Sequence, residues 1–164
     1  MENKSTKYYS DIQEKRIANL LNWKQVSGSG SRPTYPGDVI SEEFLGECKT
    51  HTSISDNIIF KLDHWNKIKT EAMSQFKSPV LFVDDGSQLI ENTWCIFDRQ
   101  PVGDYITAEL PILSHKSIRL NKKHITDICM DIMNNDWNPY IVFTVHNWNA
   151  YLCSLPDFSH FFGD

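Results

Sequence analysis

Asp38 and Glu47 stand nine residues apart, with Lys49 two further on, in a segment whose remaining residues favour extended backbone. Ser41-Glu42-Glu43 reads as a turn, and the apolar pair Phe44-Leu45 leads from it into Glu47. In an extended strand residues two apart share a face, so Glu47 and Lys49 project together while Cys48 points the opposite way, into a core. If Val39 pairs back across the hairpin, Asp38 lands beside Glu47. Two carboxylates with the backbone carbonyl of Cys48 between them suit Mg²⁺, which keeps several waters and binds phosphate oxygens directly; Mn²⁺ is expected to substitute. Lys49 then sits where an ammonium positions water or offsets charge developing on a scissile phosphate.

An amphipathic helix is predicted upstream, from about Asp11 to Trp23, with residues 1–8 polar and frayed. Ile17, Leu20 and Leu21 fall at helical spacing, and Glu14 lies on the same stripe while Lys15 and Arg16 point away. A carboxylate on a core-facing stripe is costly unless something pairs with it. A metal ion, a water held by one, or Lys49 would be such a partner; alternatively the side chain curls to solvent.

The ordered set of a helical glutamate (Glu14), Gly37-Asp38 and Glu47-Cys48-Lys49 resembles the PD-(D/E)XK nuclease superfamily. Gly28-Ser29-Gly30-Ser31 and the run Phe60-Lys61-Leu62, Trp65, Ile68, Glu71-Ala72 and Pro79-Val80-Leu81 make the segment 10–85 most similar to phage-type and archaeal Holliday-junction resolvases. The resemblance implies a restriction-endonuclease-like core: an α/β fold with a mixed central β-sheet flanked by helices. It implies catalytic roles for Glu14, Asp38, Glu47 and Lys49, with the metal held by Asp38, Glu47, the Cys48 carbonyl and Glu14. It also implies a loop over residues 27–36 that closes on DNA, where Ser29, Ser31 and Arg32 meet phosphate. A homodimer with two sites follows from the paired cuts that a four-way junction requires. The same fold could instead act on DNA ends, linear duplex or mismatches, or serve as a non-catalytic DNA-binding phage accessory protein.

The 164 residues suffice for one core and a small extension, divided here into a nuclease core over 1–100 and a C-terminal extension over 101–164. No long apolar run or secretory signal is present, so a cytoplasmic protein with no membrane partner is expected. Cys48, Cys95, Cys129 and Cys153 are scattered through apolar segments and read as free thiols. A net charge of −5 argues against a generic nucleic-acid binder, so local cation clusters matter more than the total. Lys61, Lys67, Lys69 and Lys77 flank the second helix, and Lys116, Arg119, Lys122, Lys123 and His124 crowd a later segment. Lys61 is placed to approach DNA; either cluster could equally be a solvated helix face. His51, just past Lys49, is a weaker candidate for proton transfer.

Downstream, a strand at Ile58–Leu62, a helix from an Asp63 N-cap to about Phe76 with Trp65, Ile68, Ala72 and Phe76 buried, and strands at Val80–Asp84 and Thr93–Asp98 are predicted. The C-terminal third echoes this unit as a strand-helix-strand extension. Ile118-Arg119-Leu120 matches Phe60-Lys61-Leu62; allowing a two-residue insertion, Asp131-Ile132-Met133 then matches Glu71-Ala72-Met73, and Ala150–Leu155 matches Thr93–Asp98. A partial duplication is expected, without a second copy of the acidic motif.

Overall fold

The computed structural model describes residues 4–26, 36–110, 115–136 and 139–163. Among these, ten strands and four α-helices form an α/β fold with a mixed central sheet flanked by the helices. The chain opens with α1 (Thr6–Leu21), β1 (Lys24–Gln25), β2 (Val39–Ile40) and β3 (Phe44–Lys49). It continues through β4 (Asn57–Lys61), α2 (Leu62–Ser74), β5 (Ser78–Asp84) and β6 (Thr93–Phe97). The last third adds β7 (Ile106–Glu109), β8 (Ser117–Asn121), α3 (Lys122–Asp136), β9 (Ile141–Val145), β10 (Ala150–Ser154) and α4 (Leu155–Phe162).

Eight strands share one sheet in the order β1-β2-β3-β5-β6-β10-β9-β7, and β4 pairs with β8 in a separate two-stranded ribbon. Residues 1–100 and 101–164 therefore contribute to one continuous sheet. Strand alternation divides the interior in two. Leu45, Leu81, Val83, Ile96, Phe143 and Leu152 look toward the ribbon and α2, whose Trp65, Ile68 and Ala72 are buried with them. Cys48, Val80, Phe82, Cys95, Val142 and Cys153 look toward α1 and α4, packing with Ile17, Leu21 and Phe158. All four cysteines are free.

Two halves of the chain repeat one topology. In the first, β3 runs parallel to β5 by way of β4 and α2, and β5 turns back antiparallel into β6. In the second, β7 runs parallel to β9 by way of β8 and α3, and β9 turns back into β10. The halves meet where β6 pairs antiparallel with β10, Cys95 opposite Cys153, and where β4 pairs antiparallel with β8, Ile59 opposite Arg119. Both central pairs are antiparallel, so each relates the two halves by a local two-fold. The repeat offset is 60 residues from strand into helix, since α2 begins at Leu62 and α3 at Lys122. Phe60 thus corresponds to Leu120, while Ile118, its expected counterpart, is its cross-strand neighbour. A slip of two residues leaves the inward face of a strand unchanged, which is why the apolar pattern concealed it; no insertion is needed.

Several sequence expectations change. Helix α1 starts at Thr6, because Ser5 caps it by accepting a hydrogen bond from the Tyr8 amide, so residues 6–8 are helical. It stops at Leu21, where Asn22 adopts the left-handed conformation. Asp63 is not the N-cap of α2. The Leu62 amide donates to the Lys116 carbonyl, ribbon pairing holds to Lys61, and Asp63 falls in the first turn, where its charge suits the helix dipole. Phe76 is not core: the helix ends at Ser74 and Phe76, at φ 57°, is 99% exposed. No helix among the described residues is long and apolar enough to cross a membrane.

Candidate active site

The site lies where strand β2 stops short. Val39 and Ile40 pair with Gly46 and Leu45, and the chain then leaves the ladder at Gly37, whose φ of 79° turns it away. Beyond Gly46, β3 has no partner strand on that side among the described residues. Asp38 fills the gap: its amide donates to the Gly46 carbonyl at 2.8 Å, and its Oδ2 accepts from the Cys48 amide at 2.8 Å. A ladder bond is thus replaced by a side-chain bond, which fixes the Asp38 carboxylate alongside Glu47. Close approach here requires Gly46, since a Cβ at that position would lie 2.7 Å from Val39 Cγ2 and 2.8 Å from Phe82 Cε2.

Glu47 and Lys49 project from the same face of β3, as alternation requires, and Lys49 Nζ lies 2.7 Å from Glu47 Oε1. Lys67 from α2 approaches the same oxygen at 3.9 Å and Glu71 at 3.7 Å. Cys48 points into the opposite core layer. Helix α1 supplies the third carboxylate: Glu14 is 5% exposed, and its Oε2 accepts from Gln25 Nε2 at 3.0 Å. The partner that makes its burial tolerable is therefore a neutral amide on β1. Gln13, fully buried, donates to the Lys49 carbonyl at 2.8 Å and ties α1 to the end of β3.

These charges perturb one another. Burial, with the charges of Glu47 and Glu14, pushes the Asp38 carboxyl up to about 7, against the opposing effect of the Cys48 amide. Burial also raises Glu14, with Asp11 and Glu47 adding to it, while the Gln25 hydrogen bond opposes. For Lys49 burial favours the neutral amine, but the hydrogen bond and charge of Glu47 outweigh it and hold the ammonium above its ordinary range. His64, in the first turn of α2, is held low by burial and by Lys49 and Lys61, with Glu47 opposing. The imidazole thus lies within the electrostatic reach of both the site and Lys61.

The structure therefore brings together Glu14, Asp38, Glu47, Cys48 and Lys49, residues spread over 36 positions of sequence. Lys61 stands apart, exposed at the end of β4. Ser29, Ser31 and Arg32 lie outside the described residues, as does the rest of the glycine-serine loop. His51 is part-buried, its Nε2 enclosed without a hydrogen-bond partner. Among the described residues no group of three His, Cys, Asp or Glu side chains is assembled to hold a metal ion. The donor chemistry nevertheless fits Mg²⁺, which commonly takes one or two carboxylates and completes its shell with water and substrate phosphate. The elevated Asp38 also fits, because a bound cation offsets both the burial that chiefly raises it and the like charges of Glu47 and Glu14 that add to it.

Gln13, Gln25 and His64 were not singled out by sequence, and Lys67 only as one of the cations flanking the second helix. Gln13 had a signal, standing four residues before Ile17 on the buried stripe. The others depend on how β1 and α2 pack around β3. In comparisons with known proteins, the chain matches no family model, no curated protein and no solved structure.

Proposed function

We propose that this chain is a metal-dependent DNA endonuclease of the PD-(D/E)XK type, with branched DNA as its substrate. One observation carries the reading: Asp38, held by the Cys48 amide, lies beside an intact Glu47–Lys49 ion pair at the open end of a central strand, with Glu14 buried behind it. A scaffold has no need of three crowded carboxylates, because each one left without a cation costs stability.

Asp38 and Glu47 would hold the cation, with the Cys48 carbonyl and Glu14 as further donors. When bound, a divalent ion supplies Lewis-acid stabilisation of charge at the phosphate and activates water. Lys49 stays protonated through Glu47 and so orients that water and offsets charge on the non-bridging phosphate oxygens as the 3′ oxygen departs. Gln25 and Gln13 keep Glu14 and the β3 terminus in register with each other. Each chain holds one such cluster among its described residues, so paired cuts across a junction require two copies of the chain related by a dyad.

The test is incubation of a labelled four-way junction, a matched linear duplex and single-stranded DNA with Mg²⁺ or EDTA, beside Lys49→Ala. Metal-dependent nicking confined to the junction, reduced at least about a hundredfold in the variant, is the expected result. Cutting of linear DNA retains the nuclease with a different substrate. A folded protein that binds DNA without cutting any form of it is instead a binding module.

A further inference from the structure

Among its described residues the second half carries no counterpart of the candidate site, yet it brings Lys116, Arg119, Lys122 and Lys123 onto or beside the same ribbon as Lys61. Side chains on the β4·β8 ribbon alternate. Ile58, Phe60, Ile118 and Leu120 are buried against the core, so Asn57, Ile59 and Lys61 share the outer face with Ser117, Arg119 and Asn121. Lys61 lies opposite Ser117, and Arg119 is two residues further along that same face. The diagonal across an antiparallel pair spans roughly 7–8 Å, so the two cations are close neighbours. Lys123 is exposed in the first turn of α3, directly after β8.

Over residues 56–64 and 115–124 the chain has five lysines and arginines against two carboxylates, Asp56 and Asp63, although it is net negative as a whole. One of the five, Lys122, is committed to buried Asp85 at 2.7 Å, which pins the start of α3 to the end of β5. The outer face leads straight into α2, which follows Lys61 and whose Lys67 Nζ lies 3.9 Å from Glu47 Oε1 in the site.

We propose that the outer face of the β4·β8 ribbon, with Lys61, Arg119 and Lys123 as its contacts, binds the phosphate backbone of a DNA duplex arm leading to the Glu47–Lys49 cluster. The inference rests on the nuclease reading and assigns the second half its role: the repeat without the acidic motif holds substrate for the repeat that has it. Exposed cations on a flat two-stranded surface suit sequence-independent contact with phosphates, and each neutralised phosphate adds to the salt dependence of binding.

Fluorescence anisotropy with a labelled linear duplex and a labelled four-way junction, in Ca²⁺ over a series of salt concentrations, tests this. Wild type is compared with Arg119→Glu/Lys123→Glu and with Lys7→Glu/Lys15→Glu, an equal charge change on exposed positions of α1, across the sheet. The ribbon variant should bind about tenfold or more weakly than the α1 variant and lose about two units of the log–log salt slope, at roughly 0.9 per phosphate contact. Equal affinity and slope in the two variants would overturn the ribbon as the arm-binding surface, and nicking by the wild type in Mg²⁺ would show that the nuclease reading survives. A wild type that neither binds nor nicks any DNA overturns both.

Discussion

Strands β3 and β7 occupy equivalent places in the two halves and have opposite chemistry. Register through β5 and β9 sets Glu47 against Leu81 and Lys49 against Val83, while Ile106 faces Ile141 and Ala108 faces Phe143. The 60-residue offset equates Leu81 with Ile141 and Val83 with Phe143, so through these partners Ile106 and Ala108 stand where Glu47 and Lys49 do, an offset of 59 on this strand. One scaffold thus carries charge on this face of the strand in one half and apolar side chains on the equivalent face in the other, where the charged Glu109 alternates to the opposite side. The topology does not call for charge at these positions; the second half builds the same strand pairings without it. What distinguishes the first half is the extra material before it, since α1, β1 and β2 deliver Glu14, Gln25 and Asp38, and among the described residues no strand pairs with the outer side of β7.

The comparison is broken most severely in the core. Trp65 in α2 and Ile125 in α3 are equivalent and both buried, but Trp65 also reaches across the halves, with Nε1 donating to the Trp148 carbonyl at 3.5 Å. Trp65→Ala should cost about 3–5 kcal/mol and Ile125→Ala about 2–3 kcal/mol. Urea unfolding followed by circular dichroism should give a single transition for wild type and both variants, because one sheet runs through both halves. Two separate transitions would mean that the halves are independent folding units.

The electrostatic difference can be read without any substrate. Asp38 has a folded pKa of about 7 against 3.8 for an exposed aspartate, so the folded state holds this proton more tightly than the unfolded one. The resulting stability is complete below about pH 4 and is lost as pH rises through about 7. In EDTA at pH 8, Asp38→Asn should therefore be more stable than wild type by on the order of 1–2 kcal/mol, less than the full shift implies because Asp38 is part-exposed. At pH 4 the gain should vanish. Adding Mg²⁺ at pH 8 should raise the wild-type melting temperature and leave the variant nearly unmoved. A variant less stable than wild type at pH 8 in EDTA would refute the raised pKa.

Much of this architecture was legible because it rests on alternation and spacing. Period two in β3 placed Glu47 with Lys49 and sent Cys48 inward, and the turn at 41–43 returned Asp38 to Glu47, as the hydrogen bond to the Cys48 amide records. Helical spacing put Glu14 on the buried stripe. What stayed hidden was set by partners remote in sequence. Nothing local marks Gln25 as the residue that satisfies Glu14, because strand β1 is two residues long and exposed. Ribbon pairing, not an aspartate cap, decides where α2 starts. The repeat was visible as an echo, but a slip that preserves the strand face left its register open until the Ile59–Arg119 pair fixed it.

The smallest expected effect lies at the far end of α2. Helix α3 continues through Asp136, the counterpart of Phe76, whereas α2 has ended by Ser74. Phe76 there takes φ 57°, and the amides of Gln75 and Lys77 both donate to the Ala72 carbonyl. A side chain with a Cβ pays roughly 1–2 kcal/mol for left-handed backbone, and glycine avoids that penalty at the cost of a more flexible unfolded chain. Phe76 is 99% exposed, so truncating it removes no buried surface. Phe76→Gly should therefore stabilise the protein by about 0.5–1 kcal/mol, seen as a higher urea midpoint with an unchanged slope. Asp136→Gly, at the last helical residue of α3, relieves no left-handed backbone and should bring no such gain. A gain at Phe76 with none at Asp136 would confirm that the halves diverge in how their helices end as well as in their charge. A destabilising Phe76→Gly would mean that the ring makes a contact in solution, such as with a second copy of the chain.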